Sequence, residues 1–448
     1  MQPDPKFPSQ HPTLAVGIDF GTTNSSIAIA TSSVHTELVS FPAATEPDEI
    51  TPSYRSVLYM AQQKEAGKTH LHSWTGPAAI EQYLASDEKG RFIQSLKSHL
   101  SSRSLTGTAV FGRHYELETL IARILGDLRQ QAERYLGGTV ANVMVGRPVR
   151  FVGAENDADD AFALDRLRQA FHTAGYERVD FELEPIAAAY AYGSTLDHDE
   201  LILIGDFGGG TSDFSLIKVG PGVRSRGRRP GDLLGSVGLG LAGDAFDAKI
   251  VRKLVSPALG ADSFARSGKK TLPAVPAWIY ANLERWHYLS FLRARNVTEI
   301  LKSAYARALE PEKIEALMNL IEEDLGYQLH QAVQRVKVEL SGSESAEFRF
   351  RDGSMALDIA VTRTQFEGWI ADELLALETC IASLFESSGV DPRDVDRVFL
   401  TGGTSFVPAV RRIFERRFGA ERVRTGEAFT SVARGLALRA WEAGALVR

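Results

Sequence analysis

The stretch that decides the fold is 201–217, Leu-Ile-Leu-Ile-Gly-Asp-Phe-Gly-Gly-Gly-Thr-Ser-Asp-Phe-Ser-Leu-Ile. Four apolar residues, Leu201 to Ile204, read as a buried strand. An aspartate, three glycines and a threonine follow, and alternation resumes at Phe214, Leu216 and Val219. This is a strand–turn–strand unit whose turn, Gly208-Gly209-Gly210-Thr211, is nearly bare of side chains. Without Cβ atoms in the way, backbone N–H groups there can approach an anion. Asp206 ends the first strand beside that anion. A carboxylate next to a phosphate is repelled unless a cation lies between them, so Asp206 implies Mg²⁺ held through water.

The same unit occurs earlier. Residues 16–30 hold an apolar strand, then Asp19-Phe20-Gly21, then Thr22, Thr23 and Asn24, then a second alternating strand. Asp19-Phe20-Gly21 and Asp206-Phe207-Gly208 match residue for residue. Two copies about half a chain apart imply two similar lobes facing one nucleotide, each with a phosphate-gripping hairpin and an aspartate. The plainer reading is two ordinary hairpins sharing Asp-Phe-Gly by chance.

A chain of 448 residues, 44% of them hydrophobic, is expected to hold two or more compact units. The net charge of −7 argues against a nucleic-acid or anionic-membrane surface over the whole chain, and neither partner is expected. The single cysteine, Cys380, excludes an internal disulfide; it lies on an apolar helical stripe and reads as a buried, inert thiol. Cysteine poverty fits a reducing compartment, and a cytoplasmic location is expected. Residues 1–13, rich in Pro and Gln without an apolar core, read as a flexible tail rather than a signal peptide.

In chain order, strands at 14–20, 25–30 and 34–41 carry the first hairpin. A small inserted subdomain is expected over 42–115, with a strand at 54–60 and helices near 77–85 and 91–101. A helix at 116–136, a strand at 140–145, a helix at 159–173, a strand at 179–183 and a helix at 186–192 complete a first lobe, 14–200. The second lobe, 201–448, has a basic glycine-rich loop at 220–235, read as a solvated hairpin tip or a partner patch. A helix at 244–255, a surface loop at 256–277 and a helical run from 278 to 340 broken near Pro311 follow. A hairpin joined by Asp352-Gly353, a helix at 364–388, a strand at 396–401 and helices at 407–418 and 430–443 close it. A second insertion is expected over 246–330. Strands and crossover helices repeated in one order make a doubled α/β architecture, with ligands where strand ends face a cleft.

Among further motifs, a G-x-G-x-x-G at Gly238, Gly240 and Gly243 lacks a clear preceding strand and an acid at a following strand end. A dinucleotide fingerprint is therefore discounted, although Gly243 opens a helix that can present N–H groups to phosphate. No P-loop, zinc cluster or G-x-S-x-G occurs, and His287 and His330 read as surface or core residues. Gly402-Gly403-Thr404-Ser405-Phe406-Val407-Pro408 is a third glycine turn, flat enough to admit a base and ribose. Phe406 either stacks on a base or packs in the core. Glu184-Pro185 either orients water at the interlobe crossing or simply starts a helix.

With these stretches placed, the chain resembles the nucleotide-binding domain of the DnaK-type, 70-kDa heat-shock chaperones, within the actin, sugar-kinase and chaperone ATPase superfamily. Residues 17–25 resemble the family's first phosphate loop and 206–213 the second. Residues 184–193 and 431–440 resemble its connecting helices, 402–408 its adenosine loop and 242–247 its glycine-acidic segment. The resemblance implies two duplicated actin-like, ribonuclease H-like lobes with inserted subdomains around a central nucleotide cleft. It implies ATP/ADP and Mg²⁺ as cofactors, with Asp19 and Asp206 holding Mg²⁺ through water. Gly21, Thr22, Thr23, Asn24, Gly208, Gly209, Gly210 and Thr211 would meet phosphates. Glu184 and Asp213 would place the attacking water. Gly243, Lys337, Ser341, Gly402, Gly403, Thr404 and Phe406 would complete the nucleotide site.

Three departures qualify this. The family's catalytic lysine falls at Ile80, in Gly76-Pro77-Ala78-Ala79-Ile80, and Lys97 is the substitute considered. The arginines that flank adenine fall at Val338 and Phe406, and a glutamate on that helix is Gln334. No peptide-binding domain is expected after 448, as in the short YegD-like members. The expected function is an ATP-binding switch with weak Mg²⁺-dependent hydrolysis, acting on an unknown protein partner or client. The alternatives are a pseudo-ATPase without turnover, a small-metabolite kinase, or a filament-forming protein.

Overall fold

The structure, a computed structural model, describes residues 15–42, 50–65, 68–86, 90–194, 196–227, 229–267, 270–285, 288, 292–352, 355–425 and 431–445. The tail expected over 1–13, His287 and the turn at Gly353 lie outside these residues. The chain divides into two compact units. One comprises 1–242, 377–405 and 412–448, the other 243–376 and 406–411.

The first unit contains the two sheets that carry the repeated hairpins. In the first sheet, Ala15–Phe20 pairs antiparallel with Asn24–Ala30, which pairs with Thr36–Leu38. On its other side it runs parallel to Asn142–Arg147, and that strand to Arg178–Leu183. In the second sheet, Glu200–Phe207 pairs antiparallel with Ser212–Val219, then Leu233–Leu239. On its other side it runs parallel to Arg397–Thr401, then Val423–Thr425. The order and direction of these five strands are the same in both sheets, so the repeated motif reports a duplicated topology. Both central strands are apolar and covered almost throughout, as strands with helices on both faces must be.

Two crossover helices, Glu184–Gly193 and Ser431–Ala445, lie against each other. A Cβ at Gly435 would overlap the Ala187 carbonyl oxygen, so the absence of a side chain there permits backbone-to-backbone approach. Ile186, Ala187, Ala188, Ala189, Val432 and Leu436 join Met144 of the first sheet and Ile202, Ile204 and Ile217 of the second in one core cluster. On the outer side of the first sheet, Leu117–Leu136 buries Leu120, Ile121, Ile124, Leu125 and Leu128 beside Leu167 and Phe171 of Asp157–Thr173. Each such side chain contributes about 1.5–3 kcal/mol of transfer free energy, which holds the helix to the sheet.

The second unit is mainly helical. Gly243–Ile250 runs into a π-turn at Val251–Val255, and Ala277–Leu283, Arg295–Tyr305, Pro311–Glu322 and Gly326–Gly342 follow. The hairpin Ser345–Asp352 with Met355–Thr362 packs against the last of these.

Several expected elements differ. Residues 91–101 are not a helix. Arg91–Gln94 is a strand of a three-stranded sheet with Val57–Glu65 and Lys68–Thr75, and Leu96–His99 is a 3-10 turn. Ser95, left-handed at φ 54°, breaks the chain between them. The expected loop 256–277 contains the hairpin Phe264–Ser267 with Lys270–Pro273. The helix expected over 364–388 breaks at Ile370 into Arg363–Trp369 and Ala371–Ser388. The expected basic loop begins with a short helix, Pro221–Arg226, and two of its arginines bind their own chain. Arg226 pairs with Asp232, and Arg224 donates to the carbonyls of Gly193 and Leu196. A strand, Leu233–Leu239, does precede the G-x-G-x-x-G, but it is antiparallel to its neighbour and so is not part of a βαβ unit.

Candidate functional site

The site is built at the ends of the two central strands of the first unit. Asp19 stands opposite Ser26 in the first hairpin, and Asp206 opposite Asp213 in the second. Glu184 opens the first crossover helix and is buried, with Pro185 behind it. These four carboxylates form one electrostatic group. Burial raises Asp19 well above the usual carboxylate range, and Glu184 and Asp206 add to the rise. Burial and then Glu184 push Asp206 up to about 6. Asp213 is raised by burial and by Glu184 and Asp206. Such mutual repulsion requires the aspartates at the ends of both hairpins to share one space.

Among the described residues one cationic side chain answers them. The Lys97 Nζ lies 2.7 Å from Glu184 Oε1, with both side chains buried. Burial alone would lower this ammonium, but Glu184, Asp19 and Asp213 outweigh it and raise it. Four carboxylates against one ammonium leave the group short of positive charge. That donor set of hard oxygens fits a divalent cation. Among the described residues no three His, Cys, Asp or Glu side chains form a direct metal cage. Two aspartates fit Mg²⁺, which dehydrates reluctantly and commonly keeps much of its water shell.

The turns differ in how they are held. In the first, a Cβ at Gly21 would overlap the Asn24 carbonyl oxygen. A neighbouring segment straps this turn: Ser56 N donates to Thr23 O at 3.0 Å, Arg55 Nη1 to Asn24 Oδ1 at 3.1 Å, and the Ser25 and Ser56 hydroxyls lie 2.8 Å apart. Gly21, Thr22, Thr23 and Asn24 are all partly open. In the second, Gly208 N donates to Thr211 O at 2.9 Å; Gly208 is exposed, and Gly209, Gly210 and Thr211 are partly open. The Thr401 hydroxyl donates to Asp206, and Val149 N donates to Asp213 Oδ1 at 3.0 Å.

The third glycine turn joins this floor. Gly402 has φ +84°, and a Cβ there would run into the Phe207 carbonyl oxygen. Ser405 Oγ donates to Gly402 O at 2.6 Å, and Thr404 and Ser405 are buried. The other expected nucleotide contacts, Gly243, Lys337, Ser341 and Phe406, belong to the second unit. There, Lys337 Nζ lies 2.7 Å from Asp247 Oδ1 and donates to Gly243 O at 3.3 Å, while Ser341 Oγ donates to Lys337 O at 2.9 Å. Phe406 is 50% exposed and Val338 69%, so Phe406 is not a core residue. Ile80 is buried at 1% exposure. Cys380 is partly buried, and burial pushes its thiol up to about 11, which makes it a poor nucleophile.

Sequence reasoning passed over Thr401, the Val149 N–H and Ser98. Thr401 had a signal, a hydroxyl ending an apolar strand just before two glycines. The Val149 N–H had none, because any residue supplies it. A Cβ at Gly210 would stand 3.7 Å from Ser98 Oγ, which places that hydroxyl against the second turn.

Among the described residues no helix is long and apolar enough to cross a membrane. A family model described as Hsp70 protein matches residues 15–262 and 312–442, a span that takes in both hairpins, both crossover helices and the third glycine turn. Proteins of that family generally bind ATP or ADP with Mg²⁺, hydrolyse ATP and engage client proteins. On this match, and on a duplicated two-lobed α/β fold with a carboxylate cluster between its hairpins, the chain belongs to the Hsp70 family, as a chaperone-family ATP-binding protein.

Proposed function

We propose that this chain binds Mg²⁺–ATP between its two hairpins, hydrolyses it weakly, and passes the change to a protein partner or client in the cytoplasm. The observation that carries the reading is the electrostatic coupling of Asp19, Asp206, Asp213 and Glu184 at the ends of duplicated strands. Asp19 and Asp206 would hold the cation, with water between. The backbone N–H groups of 21–24 and 209–211 take the phosphates, and Gly208, whose N–H is bonded to Thr211 O, leaves room for them. The cation, when bound, neutralises charge on the phosphate oxygens. Glu184 and Asp213 orient the attacking water, whose oxygen bonds to the γ-phosphorus. The bond to the bridging oxygen breaks with its electron pair going to ADP, and the water's proton leaves on phosphate. Within the first unit, Gly402, Gly403 and Thr404 take the nucleoside.

A second reading, a nucleotide-sensing module without turnover, is favoured by one observation. Buried Ile80 stands where the resemblance puts a catalytic lysine, and an apolar side chain cannot stabilise developing charge on phosphate. Calorimetric titration with Mg²⁺–ATP tests both readings: saturable binding in the parent, weakened in Asp19→Asn and Asp206→Asn, is expected, and no binding in the parent ends both. Single-turnover hydrolysis then separates them, since tight binding with a rate no faster than buffer leaves only the module.

A further inference from the structure

Among the described residues Lys97 is the ammonium inside the carboxylate group, and the chain builds a dedicated mount for it. Ser95, left-handed, ends the strand Arg91–Gln94 and turns the chain into the 3-10 turn Leu96–His99. Leu96 and Leu100, both buried, anchor the turn in the core of the first sheet. Behind it, the buried Arg166 guanidinium donates to the carbonyls of His99, Leu100, Ser102 and Leu105, and pairs with Glu118. The His99 carbonyl also accepts from Ser102 N at 3.1 Å, and Arg166 gives the carbonyls of Leu100, Ser102 and Leu105, in the segment after the turn, a charged donor. The result is a rigid platform that aims Lys97 at Glu184 and sets Ser98 Oγ beside Gly210 of the second phosphate turn.

A buried ion pair of this kind is a poor source of stability, because removing both charges from water offsets their attraction. Its place between a phosphate turn and the water-orienting carboxylate points to another use. We propose that Lys97 is the ammonium that grips the γ-phosphate, and that in the nucleotide-free chain it is parked on Glu184. The γ-phosphate, a stronger anionic acceptor than one carboxylate, draws Lys97 away. Glu184 is thereby released to orient water only when a third phosphate is present. ADP lacks that phosphate and leaves the pair closed. This inference rests on the nucleotide reading and adds to it a residue that distinguishes ATP from ADP, carried by a 3-10 turn rather than by the helix Gly76–Ala85 that bears Ile80.

The test compares Mg²⁺–ATP and Mg²⁺–ADP titrations, with single-turnover hydrolysis, for the parent, Lys97→Met, Lys97→Arg and the double variant Lys97→Met/Glu184→Gln. Lys97→Met loses about tenfold to a hundredfold in ATP affinity while ADP affinity stays within about threefold, because only ATP presents the charge that Lys97 meets. Lys97→Arg recovers part of the ATP preference. The double variant, which removes both members of the buried pair, keeps the altered preference even where Lys97→Met fails to fold. An ATP-over-ADP preference that matches the parent's in every folded variant lacking Lys97 overturns the inference alone, as does an equal loss for both nucleotides. A parent that binds neither nucleotide overturns the nucleotide reading itself, and the inference with it. Because the preference is read from binding, a parent without turnover still decides the question.

Discussion

The two hairpins share strand order, the Asp-Phe-Gly sequence and a glycine at the turn, yet they carry different chemistry. Asp19 faces Ser26 across its ladder, whereas Asp206 faces Asp213. The first turn is tied to Arg55 and Ser56 of a neighbouring segment. The second leans on Thr401 and on a glycine turn whose Gly402 meets the Phe207 carbonyl. Duplication thus supplies a pair of equivalent cradles, and single substitutions in one copy supply the acid. On the proposed reading the first hairpin mainly holds, and the second both holds and helps place water. Asp213 needs room for this. A Cβ at Gly238, its ladder partner, would lie 2.8 Å from Asp213 Oδ1, which explains a glycine in a motif that reads as a dinucleotide fingerprint and is not one.

The asymmetry is broken most sharply at the opposed positions. Asp213→Asn is expected to lower the single-turnover rate by about a hundredfold or more with nucleotide affinity nearly unchanged, because an aimed charge acts chiefly on the transition state. Ser26→Ala, its counterpart, is expected to change the rate by less than about threefold, since it removes no charge from the site. Equal losses at the two positions would mean that the hairpins have equivalent roles.

The next effect is structural. Gly402→Ala forces a side chain onto a left-handed residue and into the Phe207 carbonyl, and is expected to cost about 2–4 kcal/mol in chemical denaturation. Gly240→Ala, where a Cβ meets open space, is expected to stay within about 0.5 kcal/mol. A similar cost at both positions would remove the special role of the turn beneath the second hairpin.

The electrostatic difference also appears as a pH dependence. Asp206 has a pKa of about 6, against an ordinary 3.8, so the folded chain holds this proton more tightly than the unfolded chain does. As pH rises from about 4 to 6 the unfolded state gives up the proton first, and nucleotide-free stability falls by up to about 3 kcal/mol before levelling. Asp19 and Asp213 are shifted in the same direction and extend the decline. Denaturation midpoints across this window are expected to fall in the parent and to flatten in Asp206→Asn; a midpoint that rises with pH contradicts the cluster as described. The smallest expected effect is at the strap. Arg55→Ala loses the bond to Asn24 and is expected to cost about 1 kcal/mol, with ATP affinity weakened more than the rate.

Much of this was legible in the sequence because the repeated unit is local. Asp-Phe-Gly after an apolar strand, with alternation resuming beyond it, names both hairpins, and the helices expected at 116–136 and 430–443 are observed as Leu117–Leu136 and Ser431–Ala445. The mount of Lys97 was not legible. Phe92, Ile93, Leu96 and Leu100 fall at spacings a helix also uses, and the break at Ser95 is made by a left-handed serine with no glycine or proline to announce it. Ile370, at φ −98°, interrupts a helix within an unbroken apolar pattern, and Gly368 two residues earlier is the one sequence hint of it. The arginines of 221–229 looked like a solvated or partner-facing patch because sequence alone does not reveal that Asp232 and the Gly193 carbonyl take two of them. The convergence of four carboxylates depends on chain closure over long separations, which only the pairing of the motifs hinted at.

The central claim is that both cradles close on one triphosphate. A structure with Mg²⁺ and a non-hydrolysable ATP analogue tests it most directly. The account predicts one phosphate chain within about 3 Å of backbone N–H groups from both 21–24 and 209–211. A phosphate chain held by one turn alone, or bound on another surface of the chain, would contradict it.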